Sequence, residues 1–174
     1  AFPPAISAQV AFQARDYSGA VEHATQAIGL DPEFWIGHMS RAQAYERLGH
    51  YDRAVEDATI ASRFSNQNSK ALSLRGYLLA KAGRPDEARQ VLNAMRMAAQ
   101  QRYIPPYAFA LIHAGLGETD AVFEWLGRAY DAHDVHLIFL TADPKWDPYR
   151  SDARFTALLE RCGFTRARAL SPEP

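Results

Sequence analysis

His133-Asp134-Val135-His136, with Asp131 just upstream, carries donor types that can bind a transition metal. A metal site needs three or four such donors converging on one point. This spacing matches no strong metal-binding pattern, and a loop start is the favoured reading. Asp143, Asp147 and Asp152 form a second series, of the kind that serves Ca²⁺ binding or acid–base work. Asp143 and Asp147 each precede a proline and Asp152 precedes a helical run, so turn and cap duty accounts for all three. The lone cysteine, Cys162, has no evident cation partner and reads as packing. His113 lies in an apolar helical run and reads as a core residue, while His23, His38 and His50 are scattered. The chain has no Gly-rich phosphate loop, no Gly-x-Ser-x-Gly and no nucleophile beside an evident base. The expectation is no catalytic residue, no metal, no cofactor and no enzymatic activity.

The elements that carry these residues follow from composition and pattern. A chain of 174 residues with 48% hydrophobic and 22% charged content suits one domain with a buried core. A formal charge of −1 is a poor match for nucleic acid, and Arg166 and Arg168 are too few to change that. No apolar run approaches the roughly 18–20 residues of a membrane helix. A single cysteine rules out an internal disulfide framework. No signal-peptide pattern follows Ala1, and the first residues already read as helix. The expectation is a cytoplasmic protein, and a piece of something longer.

Repetition is the strongest signal. Ala20, Ala54 and Ala88 stand 34 residues apart, and Ala8, Ala42 and Gly76 keep the same interval. Gly49 aligns with Gly83 and Asp52 with Asp86. Small residues at fixed places let two antiparallel helices approach, and larger ones such as Leu72, Leu79 and Leu92 fill the space around them. The spacing predicts helices over 5–14, 18–29, 33–48, 52–64, 69–82, 85–101, 106–116, 119–131 and 153–162, with essentially no strand. Val135–Leu140 looks β-like, but without a partner strand a short buried helix is expected. A 34-residue period of paired helices resembles the tetratricopeptide repeat. The early helix aromatic typical of that family is absent, since Pro4, His38 and Leu72 occupy its place. The fourth unit slips by one residue, Ala121 following Ala88 by 33.

Tyr107 to Tyr130, Leu140 to Phe155 and Leu158 to Phe164 resemble the terminal unit of bacterial multidomain proteins of this family. There the repeats follow a winged-helix, Ser/Thr kinase or nucleotide cyclase domain. The fold implied is an all-α, right-handed solenoid over 1–164, with repeats at about 1–34, 35–68, 69–102 and 103–131 and a cap over 132–164. The cap stripe is Phe155, Leu158, Leu159 and Cys162, behind a connector anchored by Trp146 and Tyr149. Residues 165–174 read as a flexible tail.

The resemblance also implies a concave groove lined by the first helix of each pair, taking a peptide or domain of a protein partner. By register its residues are Gln9 and Phe12; Ile36, Met39, Gln43 and Arg47; Lys70, Ser73, Tyr77 and Lys81; then Tyr107 and Leu111. A groove filled by the protein's own segments is the competing reading. The family's clamp for chaperone C-terminal carboxylates would need Lys and Asn where this chain has Ala5, Gln9, Ser40, Lys70 and Leu74, and only Lys70 fits. No such clamp is expected. Tyr77→Ala or Arg47→Glu is expected to weaken a partner with little loss of melting temperature. The alternative to a scaffold is a regulatory or oligomerisation domain of a longer bacterial transcription regulator or signalling enzyme, and a homo-oligomer fits either.

Overall fold

A computed structural model describes residues 1–164; the tail expected at 165–174 lies outside them. Eight helices come first: α1 (Phe2–Gln13), α2 (Tyr17–Leu30), α3 (Trp35–Arg47), α4 (Tyr51–Phe64), α5 (Ser69–Lys81), α6 (Pro85–Ala98), α7 (Pro106–Leu116) and α8 (Thr119–Asp131). Two 3₁₀ helices follow, η1 (Val135–Thr141) and η2 (Pro144–Tyr149), then α9 (Ala153–Arg161). No strand occurs among the described residues. The fold is an all-α solenoid of helix pairs.

Local chemistry sets the boundaries. Asp16 and Asn68 cap α2 and α5 by accepting backbone N–H bonds from Gly19 and Lys70. Pro85 and Pro106 occupy first turns, where a missing N–H costs nothing. Gly83 turns the chain out of α5 at φ +75°, a left-handed conformation that a Cβ disfavours. The aligned small residues sit in helix crossings: Ala8, Ala42, Ala20, Ala54 and Ala88 are all fully buried.

The first three pairs stack in sequence, with α3 on α2 and α5 on α4. The last pair departs from this: α7 lies along α5 and touches α6 only marginally. Two glycines permit that approach. A Cβ on Gly76 would lie 2.9 Å from Ile112, and one on Gly115 would lie 2.7 Å from the Tyr77 carbonyl oxygen. Backbone cannot yield as a side-chain tip can. Gly115→Ala is therefore expected to part α5 from α7 at a cost of about 1–3 kcal/mol, read as a lower urea midpoint.

The segment expected as a short buried helix forms η1, but only one side is buried. Leu137 and Leu140 point inward, whereas Val135 and Ile138 are exposed. Asp134, Asp143 and Asp152 each accept a backbone N–H as the caps of η1, η2 and α9. α9 buries Phe155 and Leu158 and packs on α8.

Candidate partner groove

The odd-numbered helices α1, α3, α5 and α7 form the inner layer. Helical spacing puts Gln9 of α1, Ile36, Met39 and Gln43 of α3, Lys70 and Ser73 of α5, and Tyr107 and Leu111 of α7 around one hollow of about 130 Å³. The remaining sequence candidates lie elsewhere. Lys81 and Tyr77 border a second hollow of about 500 Å³, between the ends of α5 and α7 and the η2–α9 link. Arg47 is half-buried, 3.8 Å from Glu46 and over the Tyr17 ring. Phe12 is 2% exposed, packed with Ala20 and Ala44.

Tyr77 is 4% exposed, and its hydroxyl donates to Glu46 Oε1 at 3.3 Å. Burial, then the Glu46 charge, pushes the phenol well above its usual range. The expectation for Tyr77→Ala is corrected accordingly. A buried ring of that size is structural, and its removal lowers stability along with anything bound.

What covers these side chains is the connector from Asp134 to Tyr149, which crosses the inner face and reaches every inner helix. At α5, the Phe139 ring lies 5.7 Å from Lys70 Nζ. Lys145 is 5% exposed; its Nζ pairs with Asp143 Oδ2 at 2.7 Å, donates to Gln43 Oε1 of α3 at 2.6 Å and lies 5.1 Å from the Phe12 ring of α1. Trp146, with no exposed surface, donates from Nε1 to the Tyr107 hydroxyl of α7 at 2.9 Å. Asp147 takes two bonds from Arg15, at 2.7 and 3.2 Å, beside the end of α1. The sequence marks Trp146 as an anchor, but nothing in the repeat period signals that Lys145 and Asp147 reach back across more than a hundred residues. Part of the inner face is thus filled from within, and the hollows of about 130 and 500 Å³ stay open, the first of them reached by all four inner helices.

Asp147 does more than the turn duty its proline suggests. The Arg15 hydrogen bond holds its carboxyl at about 2, against burial and with help from Arg150. A lowered carboxyl pKa stabilises the fold above the unfolded value of about 3.9 and loses that contribution as pH falls towards 2. Acid titration followed by hydrogen exchange is expected to show the connector losing protection over that window. Asp147→Asn should remove this pH dependence.

The metal-like run is spent on structure. Burial opposes the charge on Asp134, but hydrogen bonds from His136 Nδ1 at 2.7 Å, the Tyr107 N–H at 3.0 Å and the His136 N–H hold its carboxyl below the usual range. His133 turns at φ +51°. Among the described residues no group of three or more His, Cys, Asp or Glu is placed to hold a metal ion. His113 is buried, its Nδ1 2.6 Å from Glu118. No helix of the described residues is long and apolar enough to cross a membrane.

Comparison with known proteins adds to this geometry. A family model described as tetratricopeptide repeat matches residues 7–68 and 47–102. The small glutamine-rich tetratricopeptide repeat-containing protein 2 of Mycosarcoma maydis is 37% identical over 78 residues, 45% of this chain and 22% of that protein. The heat shock protein sti1 homolog of Schizosaccharomyces pombe is 35% identical over 79 residues, 45% of this chain and 13% of the relative. Tetratricopeptide repeat protein 36 of Danio rerio is 35% identical over 116 residues, 60% of each chain. The chain therefore spans between about an eighth and three fifths of these relatives' lengths.

Proposed function

Because the chain belongs to the tetratricopeptide repeat family, we propose that it works as a non-enzymatic scaffold whose open inner hollow holds a segment of a protein partner. One observation carries this reading: side chains from all four inner helices converge on a single concavity that the connector leaves open. Its mixture of apolar walls with amide and ammonium groups suits peptide recognition. A heat shock protein sti1 homolog and a relative named as a heat-shock protein cognate co-chaperone, sgt12 of Aspergillus fumigatus, resemble this chain in part. Of the carboxylate-clamp positions, Ala5, Ser40 and Leu74 are buried and Lys70 alone offers a cation, so a chaperone tail is not the partner proposed. A cytoplasmic setting and binding without nucleic acid complete the reading.

The test compares two surface changes. Ile36 is half-buried on the hollow's wall. Ile36→Glu is expected to weaken partner capture about thirtyfold, the scale of a central interface residue near 2 kcal/mol, while the melting temperature moves little. Arg84→Ala, in an exposed pair with Glu87, should leave capture unchanged. Equal capture by both variants would remove the hollow from the interface.

A second reading is a regulatory or oligomerisation domain within a longer bacterial regulator. It is favoured by Phe2, Ile6 and Val10, 62–65% exposed along α1. The residues one and two periods after Ile6 and Val10, namely Ser40 with Ala44 and Leu74 with Leu78, are buried. A neighbouring helix would cover the α1 stripe in the same way, and protection of α1 amides in a longer chain would show it.

A further inference from the structure

The open hollow has a size and a wall chemistry that narrow what can sit in it. Its volume of about 130 Å³ is close to the ~150 Å³ of an apolar cavity that accepts benzene. Trp35, Tyr107 and Phe139 place three aromatic rings in its wall beside the apolar Met39 and Leu74, among polar neighbours such as Gln43. Phe139 comes from η1, so the seat is completed by the connector and does not belong to the repeats alone. Aromatic walls and a thioether favour a ring through edge-to-face and sulfur contacts. At the rim stands Lys70, exposed, with the Phe139 ring as its neighbour and no carboxylate among the described residues paired with it. The other cation, Lys145, is already paired with Asp143.

We propose that this hollow is an anchor site for a single phenyl side chain of the partner segment, with an acidic residue next to it in sequence meeting Lys70. The proposal rests on the reading of the groove as a partner site and names the partner's chemistry: an internal Phe-Glu or Phe-Asp step rather than a chain terminus. Although Lys70 keeps a solvent-exposed surface, the protein packed around its ammonium, and then repulsion from Lys145, lower its pKa, so an incoming carboxylate relieves an unfavourable field. The ring supplies most of the binding and the carboxylate supplies selectivity.

The three methionines make the test internal. Met39 lines the hollow, Met95 is buried elsewhere in the core and Met97 is exposed. The full chain, labelled with ¹³C at methionine methyls, is titrated with acetyl-Phe-Glu-amide, acetyl-Phe-Gln-amide and acetyl-Ala-Glu-amide. The Met39 signal is expected to move with both phenylalanine probes and to stay put with the alanine probe, while Met95 and Met97 remain still. The Glu probe should bind about two- to fivefold more tightly than the Gln probe, the scale of one partly exposed charge pair. That preference should vanish in Lys70→Gln, a change at an exposed position.

A Met39 signal unmoved at millimolar acetyl-Phe-Glu-amide overturns the proposal, as does equal movement with the alanine probe. A Glu preference that survives Lys70→Gln overturns the assignment of Lys70. The underlying reading fails separately. If Ile36→Glu leaves partner capture intact while Met39 still responds to phenylalanine, the seat exists but the partner binds elsewhere.

Discussion

Trp146→Ala is expected to cost about 3–5 kcal/mol, the range for deleting a fully buried large aromatic side chain. On a domain of this size that is a fall in melting temperature of roughly 6–20 °C. The indole has no exposed surface and packs edge-on to Tyr107 with ring centres 5.4 Å apart. Its removal opens a cavity and leaves the Tyr107 hydroxyl without its donor. The loss should concentrate in η1 and η2, because a 3₁₀ helix has poor internal hydrogen bonds and depends on its anchors. Trp146→Phe separates the contributions. It keeps most of the packing and loses the Nε1 bond, so about 1 kcal/mol is expected. Urea unfolding gives both values. A loss below 1 kcal/mol for the alanine variant would show that the indole is not an anchor.

Asp57→Ala is the second large effect, at about 3–5 kcal/mol, the cost of breaking a buried ionic group by removing one partner. The carboxylate is 3% exposed on α4 and accepts from Arg41 Nε at 2.7 Å and Arg41 Nη2 at 2.9 Å, both from α3. His38 Nδ1 lies 2.9 Å away on the same helix, with its Nε2 3.0 Å from the Pro32 carbonyl oxygen. Burial works against the charge, but the Arg41 and His38 hydrogen bonds outweigh it, and the carboxyl titrates below its usual range. A lowered carboxylate pKa means the contribution is complete above the unfolded value and disappears as pH falls through the folded one. Stability measured against pH should therefore drop below about pH 4 in the parent and be flatter there in Asp57→Asn. A parallel fall in both chains would assign the acid sensitivity to other groups.

The sequence made the helix pairs legible through particular columns. Ala20, Ala54 and Ala88 must be small because another helix lies against each, and all three are fully buried. Gly83 and Pro85 punctuate one turn as chain chemistry requires. The inner-face register was legible too, since a 3.6-residue period assigns Ile36, Met39 and Gln43 to one side of α3. Exposure was not legible. Phe12 and Tyr77 follow the inner-face register and yet are buried, Phe12 lying under the Lys145 ammonium. The partners of Lys145 and Asp147 are Gln43 and Arg15, and no local pattern encodes a pairing across such a separation. The slip of one residue in the fourth unit marked a departure from the period. That α7 would lean on α5 instead of α6 depended on the close approach Gly115 allows, which period alone does not reveal.

The reach of the connector changes how the array comes apart. A stacked array melts from its ends like a row of dominoes, each unit held only by its neighbour. Here Asp147 is tied to Arg15 and Lys145 to Gln43, so the connector behind the last helix pair is fastened to the opening helices of the array. The row becomes a buckled belt: its opening turn cannot peel away while the clasp is shut, and the clasp cannot form until all four helix pairs are in place. Early and late helices are bound into one melting event.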